Sequence, residues 1–170
     1  QHTGRSDIPL TPAGEDAARA LAPRLAKKSY VAVWSSPSSR AVTTCVLAGF
    51  GAGRVIEPDL AEWDFGTYEG RTTKDILTER PGWRLFRDGC PGGEDAADVG
   101  ARADRVIARI RALDADLILF SSAHVLRVLA ARWIGLPPEG GALLVLGIAS
   151  VSVLGYEHDR SEPVLRGWNG

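Results

Sequence analysis

The 170 residues contain no methionine. Translation begins on Met, so Gln1 reads as a position inside a longer frame, and a segment upstream of it is expected. Cysteine is nearly absent as well. Cys45 and Cys90 alone cannot build the multi-bridge framework of a small secreted domain, and no Cys-x-x-Cys or His-rich spacing points to a metal site. That scarcity fits a reducing, cytoplasmic setting. No apolar run approaches the ~20 residues of a bilayer span. Neither sign of charge dominates: 20 Lys and Arg stand against 21 Asp and Glu, for a net charge of −1. This excludes the basic footprint of a nucleic-acid-binding domain and the polybasic patch of a membrane-surface protein.

What is present is an ordinary globular composition, 45% hydrophobic and 24% charged, in a length that suits one domain over residues 1–170. Strand and helix signals alternate. Thr11 followed by Pro12 marks a helix start, with Ala18, Leu21 and Leu25 at helical spacing and Lys27 and Lys28 expected in the last turn. Pro23 should bend or weaken that helix. "VAVW" (31–34) reads as a short buried strand, with "VIEP" (55–58) and "LILF" (117–120) as a second and a third strand. A helix is expected from about Ser39, a short one near "TTKDILTE", a long one with Val99, Ala103, Val106, Ile110 and Leu113 on one stripe, and one over 124–134. "SVSVLGYEH" and "PVLRGWN" form a closing hairpin. Strands interleaved with helices predict an α/β three-layer sandwich around a mostly parallel sheet. Ligands bind such sheets beyond the carboxyl ends of the strands, here the loops "SSPSSR" and "SSAH".

Several residues could carry chemistry, and each has a plainer reading. Arg40, one turn into a helix after a strand end, suits a bidentate grip on phosphate or carboxylate, or is a surface arginine after a Ser-Pro turn. Glu62 in "AEWDFGTYEG" either sits in an apolar wall that raises its pKa and lets it donate a proton, or is a loop carboxylate bound to a backbone amide. Thr3 and Gly4 offer a hydroxyl and an amide to an anion, or form a simple turn. His124 is a candidate base or a helix-start residue. Cys45 reads as core, and His158 as structural.

Taken in order, five segments resemble the histidine phosphatase superfamily, in its phosphoglycerate-mutase-like branch: "HTGRSDIPLTPAG", "SSPSSRA", "AEWDFGTYEGRTT", "GCPGGEDAADVGARADRV" and "HVLRVLAARWIGLP". The tail "ASVSVLGYEH" with "LRGWN" agrees, so the resemblance spans essentially the whole chain. It implies a phosphomonoester site needing no metal or cofactor and a small phosphorylated molecule as substrate. A nucleophilic histidine in an Arg-His-Gly motif becomes a phosphohistidine, a second histidine and two arginines cradle the phosphoryl group, and a glutamate protonates the leaving oxygen. By motif position Arg40 is a cradle arginine, Glu62 the proton donor, and Thr3 and Gly4 belong to a loop that contacts substrate.

Two departures stand out. No Arg-His-Gly occurs in these residues; in relatives it precedes the segment matching "QHTGRSD", so the nucleophile is expected upstream of Gln1, and His2 does not replace it. Anchored on "LRVLAARW", the family's Ser-His-Gly-His corner falls on Ser121, Ser122, Ala123 and His124. Ser122 therefore occupies the second histidine position, and a neutral hydroxyl there should cost ~10²–10³ in rate. His124, two positions on, is expected to point elsewhere and not to compensate. The resulting expectation is a phosphomonoester hydrolase, impaired at Ser122. The alternatives are a member that binds a phosphorylated ligand or a protein without turnover, or an enzyme of another reaction class reusing the cleft.

Overall fold

A computed structural model describes residues 1–170. Helix α1 (Pro12–Leu25) starts where the Thr11–Pro12 pair places it. Thr11 is extended and its hydroxyl oxygen accepts from the Gly14 amide at 3.1 Å, while the proline fills a first-turn position that needs no donor. Ala18, Leu21 and Leu25 are buried as their spacing requires. Lys27 and Lys28 lie beyond the helix rather than in its last turn. Pro23 has no amide to bond backward, and the helix ends two residues after it.

Three short strands form a parallel sheet in the order β2-β1-β3, with β1 at Ala32–Ser35, β2 at Val55–Ile56 and β3 at Leu117–Phe120. Between them run α2 (Ser39–Cys45), which widens into a looser turn through Phe50, then α3 (Thr73–Glu79), α4 (Leu85–Asp88) and α5 (Ala96–Leu113). Helix α6 (Ala123–Trp133) follows β3 directly. Strands β4 (Val153–Tyr156) and β5 (Pro163–Gly167) make the expected antiparallel hairpin. Both α3 and α5 begin with reciprocal capping boxes, Thr72 with Asp75 and Asp95 with Asp98.

Side-chain alternation along the strands divides the interior into two cores, which makes the fold three-layered. Val33, Ile118 and Phe120 pack with Leu21, Leu25, Cys45 and Ala48 on one face. Trp34 and Leu119 pack on the other, against a larger cluster that includes Val99, Ala103, Val106, Val125, Leu129 and Trp133. The α5 stripe frays at its end: Val99, Ala103 and Val106 are fully buried, whereas Leu113 is exposed.

The two sheets are not joined. β3 is the last strand of the parallel sheet and β4 the edge of the hairpin. The Asp116 and Phe120 carbonyls face β1, accepting from Val31 and Ser36, so by alternation the peptide groups of Leu117 and Leu119 face away from it. A cavity of about 1080 Å³ occupies the space between β3 and β4 and continues to the carboxyl ends of the strands.

Candidate active site

β1 and β3 are parallel neighbours, so their carboxyl ends lie side by side and each feeds a serine-rich turn into a helix. Arg40 enters from the first turn of α2. Its two terminal nitrogens donate to the carbonyls of Ile8 (3.1 Å) and Thr3 (3.2 Å), which fixes the guanidinium while leaving three of its five N–H groups for a ligand. The Ser39 amide donates to Asp7 at 2.8 Å, joining the same loop to α2 a second time.

That loop is shaped from below by Glu69. Its carboxylate accepts from the amides of Gly4 (3.0 and 3.1 Å) and Ser6 (2.9 Å). Burial would raise the Glu69 pKa, but these amides outweigh it and hold the carboxyl below the usual range. The Gly4 amide thus binds an anion, as its position suggested, but the anion is the protein's own. Gly4 must also be glycine, because a Cβ would overlap the Trp63 carbonyl oxygen. Thr3, by contrast, lines the cavity.

Glu62 occupies the other side. Ser121 donates to the Leu60 carbonyl at 2.6 Å and ties the end of β3 to the Glu62 loop. The Glu62 carboxylate is 9% exposed as a residue and accepts from four donors: the amides of Trp63 (2.8 Å), Val125 (3.0 Å) and His124 (3.2 Å), and His124 Nδ1 at 3.2 Å. Ser122 sits at the cap position of α6 yet its hydroxyl caps nothing; Glu62 satisfies the helix start instead. The expected rise in the Glu62 pKa does not occur. Burial pushes it up, but His124 and the backbone amides prevail and the net shift is downward, so the group stands as a carboxylate.

His124 does not point away. Its ring lies in the cavity that Arg40, Thr3, Glu62 and Ser122 also line, edge-on to Phe65 with centroids 5.6 Å apart and 6.2 Å from the His2 ring. His2 is engaged elsewhere. Its Nε2 is 3.1 Å from the Thr73 hydroxyl, its backbone pairs with residues 70 and 71, and burial followed by the nearby His124 lowers its pKa.

The sequence model of the histidine phosphatase superfamily (branch 1) matches residues 1–169. This chain belongs to the histidine phosphatase superfamily. An acid phosphatase of Mycobacterium tuberculosis is 33% identical over 174 residues, spanning 100% of this chain and 85% of its own. A sedoheptulose 1,7-bisphosphatase of Saccharomyces cerevisiae is 33% identical over 169 residues, with 80% of this chain aligned to 62% of that one. Among solved structures, the product of an open reading frame of Mycobacterium tuberculosis superposes with a TM-score of 0.93 at 32% identity, over 99% of this chain and 88% of that one. A mycobacterial glucosyl-3-phosphoglycerate phosphatase gives 0.87 at 26% identity, over 99% and 91%.

In this histidine phosphatase fold, Thr3, Arg40, Glu62 and the Ser122–His124 corner come from four segments to one cavity. Glu69 and the Glu62–His124 pairing were not foreseen from sequence. Glu69 stands in "TYEG", but nothing in spacing tells a carboxylate that closes a distant loop from one in solvent. Cys45 is core, fully buried, and His158 is an exposed turn residue paired with Glu162 at 2.8 Å. No helix is long and apolar enough to cross a membrane.

Proposed function

We propose that this protein hydrolyses a small phosphomonoester through a phosphohistidine. The observation that carries the reading is the convergence of the Arg40 guanidinium, the Thr3 loop, the Ser122 hydroxyl and the Glu62–His124 pair on one cavity at the carboxyl end of a parallel sheet. Arg40 counters phosphoryl charge, and Ser122 contributes one neutral hydrogen bond where the family uses an imidazole. The relatives that are phosphatases, among them an acid phosphatase and a sedoheptulose 1,7-bisphosphatase, support the reaction class.

The nucleophile in this reading is the histidine of an Arg-His-Gly strand that enters the slot between β3 and β4. The unpaired edge of β3 supports this, because its outward peptide groups at Leu117 and Leu119 need partners that only another strand supplies fully. A strand there would make one continuous sheet from the two halves and would end beside Arg40 and Ser122.

Ser122 also favours a second reading, a family member that binds phosphate esters without turning them over. One experiment separates the two. The full chain is assayed with p-nitrophenyl phosphate, with Arg40→Ala as the control. The hydrolase reading expects turnover that falls by ~10²–10³ in the variant. Turnover unchanged by Arg40→Ala refutes this site assignment, and phosphate binding without turnover selects the second reading.

A further inference from the structure

We infer that Glu69 is a positioning residue for Arg40, acting through the single peptide group between Thr3 and Gly4. The inference deepens the hydrolase reading above and rests on it.

One amide joins the two side chains. Its N–H, on Gly4, donates to both Glu69 oxygens at 3.0 and 3.1 Å, and its carbonyl, on Thr3, accepts from a terminal nitrogen of Arg40 at 3.2 Å. The unit is planar and trans, so the N–H and the C=O point in opposite directions and cannot turn independently. A tilt that loosens one bond therefore loosens the other. A carboxylate at the N–H end and a guanidinium at the C=O end also polarise the amide in the same sense, so each bond strengthens its neighbour.

The second anchor of Arg40 leads back to the same carboxylate. The Ile8 carbonyl accepts from the other terminal nitrogen at 3.1 Å. The Ile8 amide donates to the Ser6 carbonyl at 3.0 Å, and the Ser6 amide donates to Glu69 at 2.9 Å. The other ties of this loop leave the Thr3–Gly4 amide untouched. Asp7 holds the Ser39 amide, and Arg5 reaches outward to Asp64 with its side chain 79% exposed.

The arrangement suits a site for an anion. A carboxylate paired directly with Arg40 would compete with a phosphoryl group for the guanidinium. Set behind a peptide, Glu69 orients the cation through carbonyls and leaves its remaining N–H groups to the ligand.

The test is a double-mutant cycle in the full chain. In Glu69→Gln the amide oxygen can keep the Gly4 and Ser6 amides on the Oε1 side, but an NH₂ in place of Oε2 meets the Gly4 N–H donor to donor. The change thus strains the bridging amide while sparing the Ser6 bond. It should lower kcat/KM for p-nitrophenyl phosphate by at least ~tenfold, the scale of a small misplacement of a catalytic group. Made in Arg40→Ala, the same change should cost less than ~twofold, because the bridge then has nothing to orient. A residue that serves only the fold costs the same in both backgrounds, so equal losses, or no loss in either, overturn the inference. Where a variant fails to fold or turns over too slowly to measure, the Gly4 amide resonance decides. Removing the guanidinium in Arg40→Ala should move it, and orthophosphate should move it in the wild type but not in Arg40→Ala. A Gly4 resonance that ignores both overturns the proposal. A wild type without turnover fails the hydrolase reading alone, since the resonance still reads the bridge.

Discussion

Replacing Glu62 with glutamine tests the site at its most densely bonded point. The substitution keeps the shape, removes one charge and exchanges one oxygen for an NH₂ group. The best orientation keeps the amide oxygen on the Trp63 and Val125 amides and turns the NH₂ toward His124. His124 Nδ1 can accept from it by changing tautomer, but the His124 amide is left without an acceptor. Hydrogen bonds to a charged group contribute ~1.5–3 kcal/mol and neutral ones ~0.5–1.5, so the two retained bonds lose about 1 kcal/mol each, and the orphaned donor costs ~1–3 more. Relief of carboxylate burial offsets part of this, leaving a net loss of about 2–4 kcal/mol. For a domain of this size that lowers Tm by roughly 4–16 °C.

The same measurement carries a pH signature. The folded pKa of Glu62 is depressed, so its stabilisation is complete above the ordinary glutamate value of 4.5 and is lost as pH falls through the lower folded value. The Tm gap between wild type and Glu62→Gln should be widest near neutrality and close on acidification. Circular dichroism melts of both proteins between pH 3 and 7 read it directly. A gap below about 2 °C at pH 7, or one that widens in acid, would refute the claim that this carboxylate holds the start of α6.

Two further outcomes are expected. Ser122→His should raise phosphomonoester turnover of the full chain at least tenfold by adding a charged donor; an unchanged or lower rate in steady-state assays means the corner is organised around His124 alone. Gly4→Ala forces the loop off the Trp63 carbonyl and away from Glu69, which should destabilise by ~1–3 kcal/mol and raise KM as the Thr3 carbonyl loses its hold on Arg40. A variant with unaltered melting and KM would show that close approach to be unimportant.

The elements of this fold were legible because they are set by local rules. Thr11–Pro12 fixes the start of α1, the stripe of Val99, Ala103 and Val106 marks α5, and runs such as "LILF" are apolar on both faces because a helix covers each. Lys27 and Lys28 were misplaced by one turn, since the break after Pro23 is a backbone effect that charge patterning does not register. Arg40 and Glu62 could be singled out because each follows a strand or turn signal and matches a family motif. The direction of the Glu62 pKa could not. It depends on the Val125 and His124 amides, 63 and 62 residues away, and an apolar neighbourhood read from Trp63 and Phe65 predicts the opposite sign. His124 was misjudged for the same reason: its direction is set by a carboxylate from another segment, not by its offset from Ser122.

The Glu62 carboxylate has a consequence for motion. It receives the Trp63 amide and the amides of residues 62 and 63 positions further along the chain, so the loop it leads and the start of α6 are locked into one block. Neither can open for a ligand alone, and amide exchange at Trp63, His124 and Val125 should report a single shared event.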